Sequence, residues 1–222
     1  MKTAKIRIHD ELKKACANKL ALGVVFASIK VTNHNKELWE EINSCISELA
    51  KIPVEDIAAL PQVKALRATY KVLGKDPSRY RGSNEALLRR ISQGKGLYKV
   101  NTIVDINNLI SLESRRSVAS YDREKLGNDL VFRPGMDGES YQAIGKGSIN
   151  IEGLPVFADE SGPFGSSTSD SQRAMITADT IQLLVAIISF DGEQGLDTEL
   201  TRAMKLLEKY ATAADVSDVI VR

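Results

Sequence analysis

The densest group of side chains able to do chemistry is the run Ser166, Ser167, Thr168, Ser169, Asp170 and Ser171, which follows directly on Gly162, Pro163 and Gly165. Short hydroxyls and a glycine-containing backbone can present O–H and N–H groups to a carboxylate, an amine or a ribose without steric obstruction. A flexible surface loop would have a similar composition. What favours a site is the sequel, because the run leads through Thr177 into the apolar stretch IQLLVAIISF at 181–190. The second group lies in YKVNTIVDINNLISLESRRSVASYD, residues 98–122, where Asn101, Asp105, Asn107 and Asn108 punctuate Ile103, Val104, Ile106, Leu109, Ile110 and Leu112. Of the carboxylates at 105, 122, 159 and 170, any converging pair could hold one proton at raised pKa and serve as acid or base. Equally, Asp105 and Asp122 could cap or cross-link their elements. His9 and His34 are the two histidines. Both lie far from these groups, so a Ser-His-Asp constellation has little to draw on.

The elements that must position these groups are legible from period and punctuation. Apolar spacings of three and four from Ile103 to Leu112 predict a helix capped at its start by Asn101 or Thr102, and alternation from Ser117 to Asp122 predicts a strand. Further strands are expected at 5–8, 20–31, 130–134, 140–145, 148–151, 154–159, 181–190 and 216–221. Those between 130 and 159 read as short antiparallel strands joined by glycine turns. Helices are expected from His9 or Asp10 to Lys19, from Asn33 or Asn35 to Lys51, from Pro61 to Leu73, from Ser83 or Asn84 to Ile91, and from Leu196 to Tyr210. Residues 162–171 read as loop. Gly145-Lys146-Gly147 lacks the flanking residues of a phosphate-binding loop.

The segment VNTIVDINNLISLESRRSVASYDREKL resembles the opening of the B3/B4 domain of the bacterial phenylalanyl-tRNA synthetase beta chain, in which N-x-V-V-D-x-T-N-Y-V precedes L-H-A-F-D. GSINIEGLPVFADESGPFGSSTSDSQRAMITADT and RYRGSNEALLRR are similar to stretches of small free-standing proteins built from that domain. The resemblance covers roughly Arg79 to Gly192. It implies an α+β fold, a B3/B4-like domain with a mixed β-sandwich or sheet core flanked by helices. It also implies an aminoacyl-tRNA deacylase acting in trans on a mischarged ester. Asp170, Ser171 and Thr177 match family positions often held by similar residues, and Arg79 and Asn84 would approach the ligand side. Glu85, four residues after Arg81, reads instead as half of an exposed ion pair. The family's histidine falls at Ala119 and its glutamate at about Ser167, so the residues associated with editing and with recognition of the tyrosine hydroxyl are absent. That departure argues against a tyrosine-specific pocket.

Charge is unevenly spread along the 222 residues. The net is +1, yet Lys64–Lys99 holds ten basic residues against Asp76 and Glu85, a formal +8 that leaves −7 for the remainder. With Tyr70, Tyr80 and Tyr98 interleaved, such a segment suits contact with a phosphate backbone; the plain alternative is two solvated helix faces. No apolar run is long enough to span a membrane, and the opening twenty residues lack a signal-peptide core. Cys16 and Cys45 are expected as buried free thiols, with no zinc spacing and no cofactor motif. A cytoplasmic protein is therefore expected.

Together these readings give a strand and helix layer over residues 1–75, packed on a B3/B4-like domain over 76–222 that ends in the C-terminal helix, the two forming one compact unit. The expected activity is recognition of aminoacyl-tRNA with hydrolysis of a wrong ester. The ligand would be lined by Asn101, Asp105, Asn108, Arg133, Ser166, Ser167, Thr168, Asp170, Ser171 and Thr177, with Asp170 and Thr177 as candidate catalytic residues. Arg79, Arg81, Arg89, Arg90, Lys95 and Lys99 would hold tRNA. The rival expectation is a non-catalytic protein that binds an amino acid, a nucleoside or RNA. Neither reading sets the oligomeric state.

Overall fold

A computed structural model describes residues 4–222. The two longest apolar runs, ALGVVFAS (β2, Ala21–Ser28) and QLLVAIIS (β9, Gln182–Ser189), pair antiparallel in the middle of a four-stranded sheet. A strand covered on both faces has no reason to alternate, which is why both read as continuous runs. The sheet is completed by β10 (Ala214–Val221) beside β2 and by β3 (Ser117–Asp122) beside β9, all antiparallel.

A second sheet has the order β1-β4-β7-β8, from strands Lys5–Ile8, Asp129–Pro134, Pro155–Asp159 and Gly162–Ser166. Only β1 and β4 run parallel; β5 (Ser140–Ala143) and β6 (Gly147–Asn150) form a separate hairpin. Between the sheets lies one core, in which Leu22, Val24, Phe26, Tyr121, Leu184 and Ile188 meet Leu130, Phe132, Phe157 and Phe164.

The opposite face of the first sheet is covered by α2 (Lys36–Leu49), α5 (Thr102–Ser114) and α6 (Leu196–Ala211), which bury Leu38, Ile42, Ile106, Leu109, Leu200 and Leu207 against Val25, Val118, Val185 and Ile187. Gly23 lets α6 approach closely, since a Cβ there would sit 3.2 Å from Leu200. α3 (Pro61–Val72) and α4 (Ser83–Ser92) form a third layer, with Val63, Leu88 and Ile91 packed on Leu49 and Leu112.

Several expectations change. The first helix, α1, spans only Asp10–Ala15, because Ala17 and Asn18 turn the chain with positive φ. Residues 162–166 form edge strand β8 and not a loop; an edge tolerates Pro163, whose missing N–H no neighbour requires. Residues 4–75 are woven into both sheets, since they supply β1 to one and the interior strand β2 to the other. No described helix is long and apolar enough to cross a membrane.

Candidate functional site

β3 and β8 are the edges of their respective sheets, and Tyr121 and Phe164 on these strands meet in the core between the sheets. Tyr121, on β3, points inward and packs edge-on against Phe164 of β8 with ring centres 4.9 Å apart. Its hydroxyl donates to Asp170 Oδ1 at 2.8 Å, and the backbone N–H of Ser166 donates to the same oxygen at 3.2 Å. Burial pushes the Asp170 carboxyl up to about 7, against the lowering effect of the Tyr121 hydrogen bond. Among the described residues Oδ2 has no hydrogen-bond partner. Gly165 makes the arrangement sterically feasible: a Cβ there would lie 2.0 Å from the Tyr121 oxygen and 2.5 Å from Asp170 Oδ1.

The turn carrying Asp170 is held by its own hydroxyls. Ser166 Oγ donates to the Ser169 carbonyl at 2.8 Å and accepts from the N–H groups of Thr168 (3.3 Å) and Ser169 (3.1 Å). Ser171 accepts from Arg173 N–H at 3.1 Å and so starts a short 3-10 turn over 172–174. Two more tyrosines close in, Tyr70 of α3 on Thr168 Oγ1 at 2.7 Å and Tyr141 of β5 on the Ser169 carbonyl. Ser167 is buried, and its side chain lies against the Tyr70 hydroxyl. Tyr70 and Tyr141 are contributions the sequence reading does not anticipate; they precede the loop by 98 and 28 residues and no local pattern marks them.

The arginine-rich segment adjoins this loop. Ser83, the first residue of α4, donates its N–H to the Ser167 carbonyl at 2.8 Å. Two residues along, Glu85 is buried, and its carboxylate takes Arg67 at 3.0 Å, Arg89 at 2.8 Å and Arg81 at 3.5 Å. Glu85 is thus a buried hub for three guanidinium groups, not half of an exposed pair. Arg81 stays 42% exposed in its side chain. Asn84 faces inward and donates to the Arg115 carbonyl at 2.8 Å, supporting the left-handed residue that ends α5.

Ser166, Ser167, Thr168, Asp170 and Ser171 are therefore brought together, whereas other expected ligand residues lie elsewhere. Asn101 caps α5 through Val104 N–H at 2.9 Å. Asp105 is fully buried on the helix-covered side of the first sheet, where it accepts from Trp39 Nε1 at 2.6 Å and joins α5 to α2; burial raises its pKa. Asn108 is half-buried on the same helix. Arg133 pairs with Glu139 through two 2.8 Å bonds that brace the turn after β4. Thr177 belongs to a neighbouring knot, in which its N–H donates to Thr180 Oγ1 at 3.0 Å and that hydroxyl donates to Asp122 at 3.1 Å. A cleft of ≈ 420 Å³ opens between α2 and α5, lined by Glu41, Cys45, Glu113 and Arg202, and shares no residue with the hydroxyl loop. It is spanned by Arg202, paired to Glu41 at 2.7 Å and to Glu113 at 2.8 Å.

A two-sheet α+β sandwich with a hydroxyl and carboxylate turn following edge strand β8 is the class this geometry defines. The family model described as the B3/4 domain matches residues 65–213, and the chain belongs to that family. The phenylalanine--tRNA ligase beta subunit of Brucella abortus is 33% identical over 69 residues, 31% of this chain and 9% of that protein. The corresponding subunit of Cutibacterium acnes is 24% identical over 145 residues, 53% of this chain and 17% of the relative. The chain thus matches less than a fifth of the length of either relative. Among solved structures, an N-terminal fragment of the phenylalanyl-tRNA synthetase beta subunit from Pyrococcus horikoshii matches with a TM-score of 0.47 and 9% identity, covering 100% of this chain and 52% of the fragment.

Proposed function

We propose that this protein binds the aminoacylated end of a tRNA and hydrolyses the aminoacyl ester, with Asp170 as general base. The observation that carries this reading is the geometry of Asp170, whose carboxylate is fixed through Oδ1 by the Tyr121 hydroxyl and the Ser166 N–H while Oδ2 is unpaired among the described residues, with burial pushing its pKa up to about 7. At neutral pH such a group is divided between acid and base, which suits it to take a proton from water and return it to a leaving oxygen. Oδ2 accepts the proton as the water oxygen attacks the ester carbonyl. As the tetrahedral adduct collapses, the ribose oxygen leaves with that proton. The Thr168 hydroxyl, on a half-buried residue and held by Tyr70, is the group offered to the amino acid. Arg81, beside the α4 N-terminus that touches Ser167, supplies positive charge for the adjacent phosphate. The family and the named subunits in which similar sequence occurs support the choice of substrate class.

The test is deacylation of a panel of mischarged tRNAs by the wild type, Asp170→Asn and Thr177→Ala. Selective release that drops about 100-fold or more in Asp170→Asn supports the reading, since a positioned general base contributes on the order of 10²–10⁴ in rate. Thr177→Ala is expected to retain most activity, because its hydroxyl belongs to the Asp122 knot. The resemblance puts Ala119 at the family's histidine and about Ser167 at its glutamate, a departure that favours a binding protein for an amino acid, a nucleoside or RNA. Absence of release from every tRNA, with affinity intact, would establish that second reading.

A further inference from the structure

The same segment that touches the loop at Ser83 carries, two turns along α4, a surface that the ester chemistry does not use. From Ala86 to Val100 the chain holds Arg89, Arg90, Lys95 and Lys99 and no acidic residue. The connector after α4 turns at Gly94 and Gly96, both with positive φ, and then presents Tyr98, Lys99 and Val100 outward. Tyr98 is 69% exposed, well beyond what a ring of that size needs for snorkelling its hydroxyl. The Arg90 guanidinium lies over one face of the ring, 4.0 Å from its centre, and is tied to the Lys95 carbonyl at 3.3 Å. Its Nε is buried without a partner among the described residues. Lys99 is steadied over the Trp39 ring at 4.9 Å.

We infer that Tyr98, backed by Arg90, is a stacking platform for an unpaired base of the bound RNA, with Lys95 and Lys99 meeting the flanking phosphates. An aromatic face braced by a guanidinium and flanked by ammonium groups matches what single-stranded nucleic acid offers, a flat π-system on a chain of phosphates. An acidic protein surface would use the charges but would leave the ring uncovered. The position also fits. Ser83 and Arg90 are seven residues apart, two turns on one helix face, which puts the platform about 10 Å from the hydroxyl loop along the axis. This inference rests on the proposed RNA substrate and adds to it a second point of attachment.

The test measures binding of a fluorescein-labelled, unstructured RNA dodecamer to the 222-residue protein, with Tyr98→Ala, Tyr98→Phe and Lys95→Ala/Lys99→Ala variants. Tyr98→Ala should weaken binding by about five- to hundredfold with an unchanged salt slope, and Tyr98→Phe should stay near wild type, since stacking needs the ring and not the hydroxyl. The lysine pair should lower the salt slope by about 1.4, roughly 0.7 for each single-strand phosphate that is no longer neutralised. Equal binding by wild type and Tyr98→Ala, or equal losses in the Ala and Phe variants, would overturn the platform. Hydrolysis of a small aminoacyl-nucleoside ester separates the two ideas. Tyr98→Ala should leave it unchanged, whereas a wild type that neither binds the dodecamer nor cleaves any ester removes the substrate class itself and the platform with it.

Discussion

At the scale of single residues, Asp170 and Tyr121 set the pH behaviour of the site. The Tyr121 hydrogen bond stabilises the carboxylate and so opposes the burial that raises its pKa. Removing it in Tyr121→Phe raises that pKa further, and the acid limb of kcat/KM for deacylation should move to higher pH; a drop in amplitude with an unmoved limb would mean that Tyr121 only supports the fold. The same group links pH to stability. Its folded pKa of about 7 exceeds the unfolded value of about 4. The native state therefore holds the proton longer, and the stabilising contribution, complete below about pH 4, is lost as pH rises through 7. Asp170→Asn lacks this dependence, so its Tm relative to wild type should climb between pH 4 and pH 8. The hydroxyl run and Asp170 were legible in the sequence because their residue types cluster locally. Tyr121 was seen only as part of an alternating strand, and its partnership with Asp170 comes from two sheet edges meeting, which no local pattern encodes.

At the scale of elements, two buried carboxylates act as clasps. Glu85 on α4 gathers Arg67 from α3 and Arg89 from its own helix, both with side chains about a quarter exposed or less. Asp105 on α5 holds the Trp39 indole N–H of α2. Asp105→Ala strands that N–H in the interior and should cost about 1–3 kcal/mol of stability, read as a lower urea midpoint, with deacylation per folded molecule unchanged. Loss of ligand binding without loss of stability would return Asp105 to the site. The helix periods identified α2, α4, α5 and α6 within a residue or two of where they lie. What they could not give is the direction of the polar residues among them, because an Asn or Asp on an apolar stripe serves a cap, a clasp or a ligand equally well. Edge strand β8 was hidden for a related reason: proline and glycine, the marks of a loop, are tolerated where one flank of a strand bonds to nothing.

At the scale of the molecule, the family match begins at residue 65, yet the first sheet is built around β2 at Ala21–Ser28. A fragment of residues 76–222 lacks both β1 and β2, leaving β9 and β10 without the strand between them. It should show no cooperative thermal transition by circular dichroism, in contrast to the full chain; a two-state melt would mean that the sheet can close without β2. The sequence read these first residues as an added layer because strand runs reveal burial but not partners. Partner choice here is set by pairings across most of the chain.

That long-range pairing has a consequence for how the molecule comes into being. Ser28 and Gln182, hydrogen-bonded at the end of the β2–β9 ladder, are 154 residues apart. On a chain growing from its amino end, β2 is made early and waits, uncharged and rich in Val, Leu and Phe, until its neighbours have been synthesised. Closure over such a separation is slow, and an unpaired strand of this composition is the kind that associates with copies of itself. The centre of the finished sheet is the most exposed hazard of its assembly, and the yield of folded protein should depend on how quickly the last third of the chain follows the first.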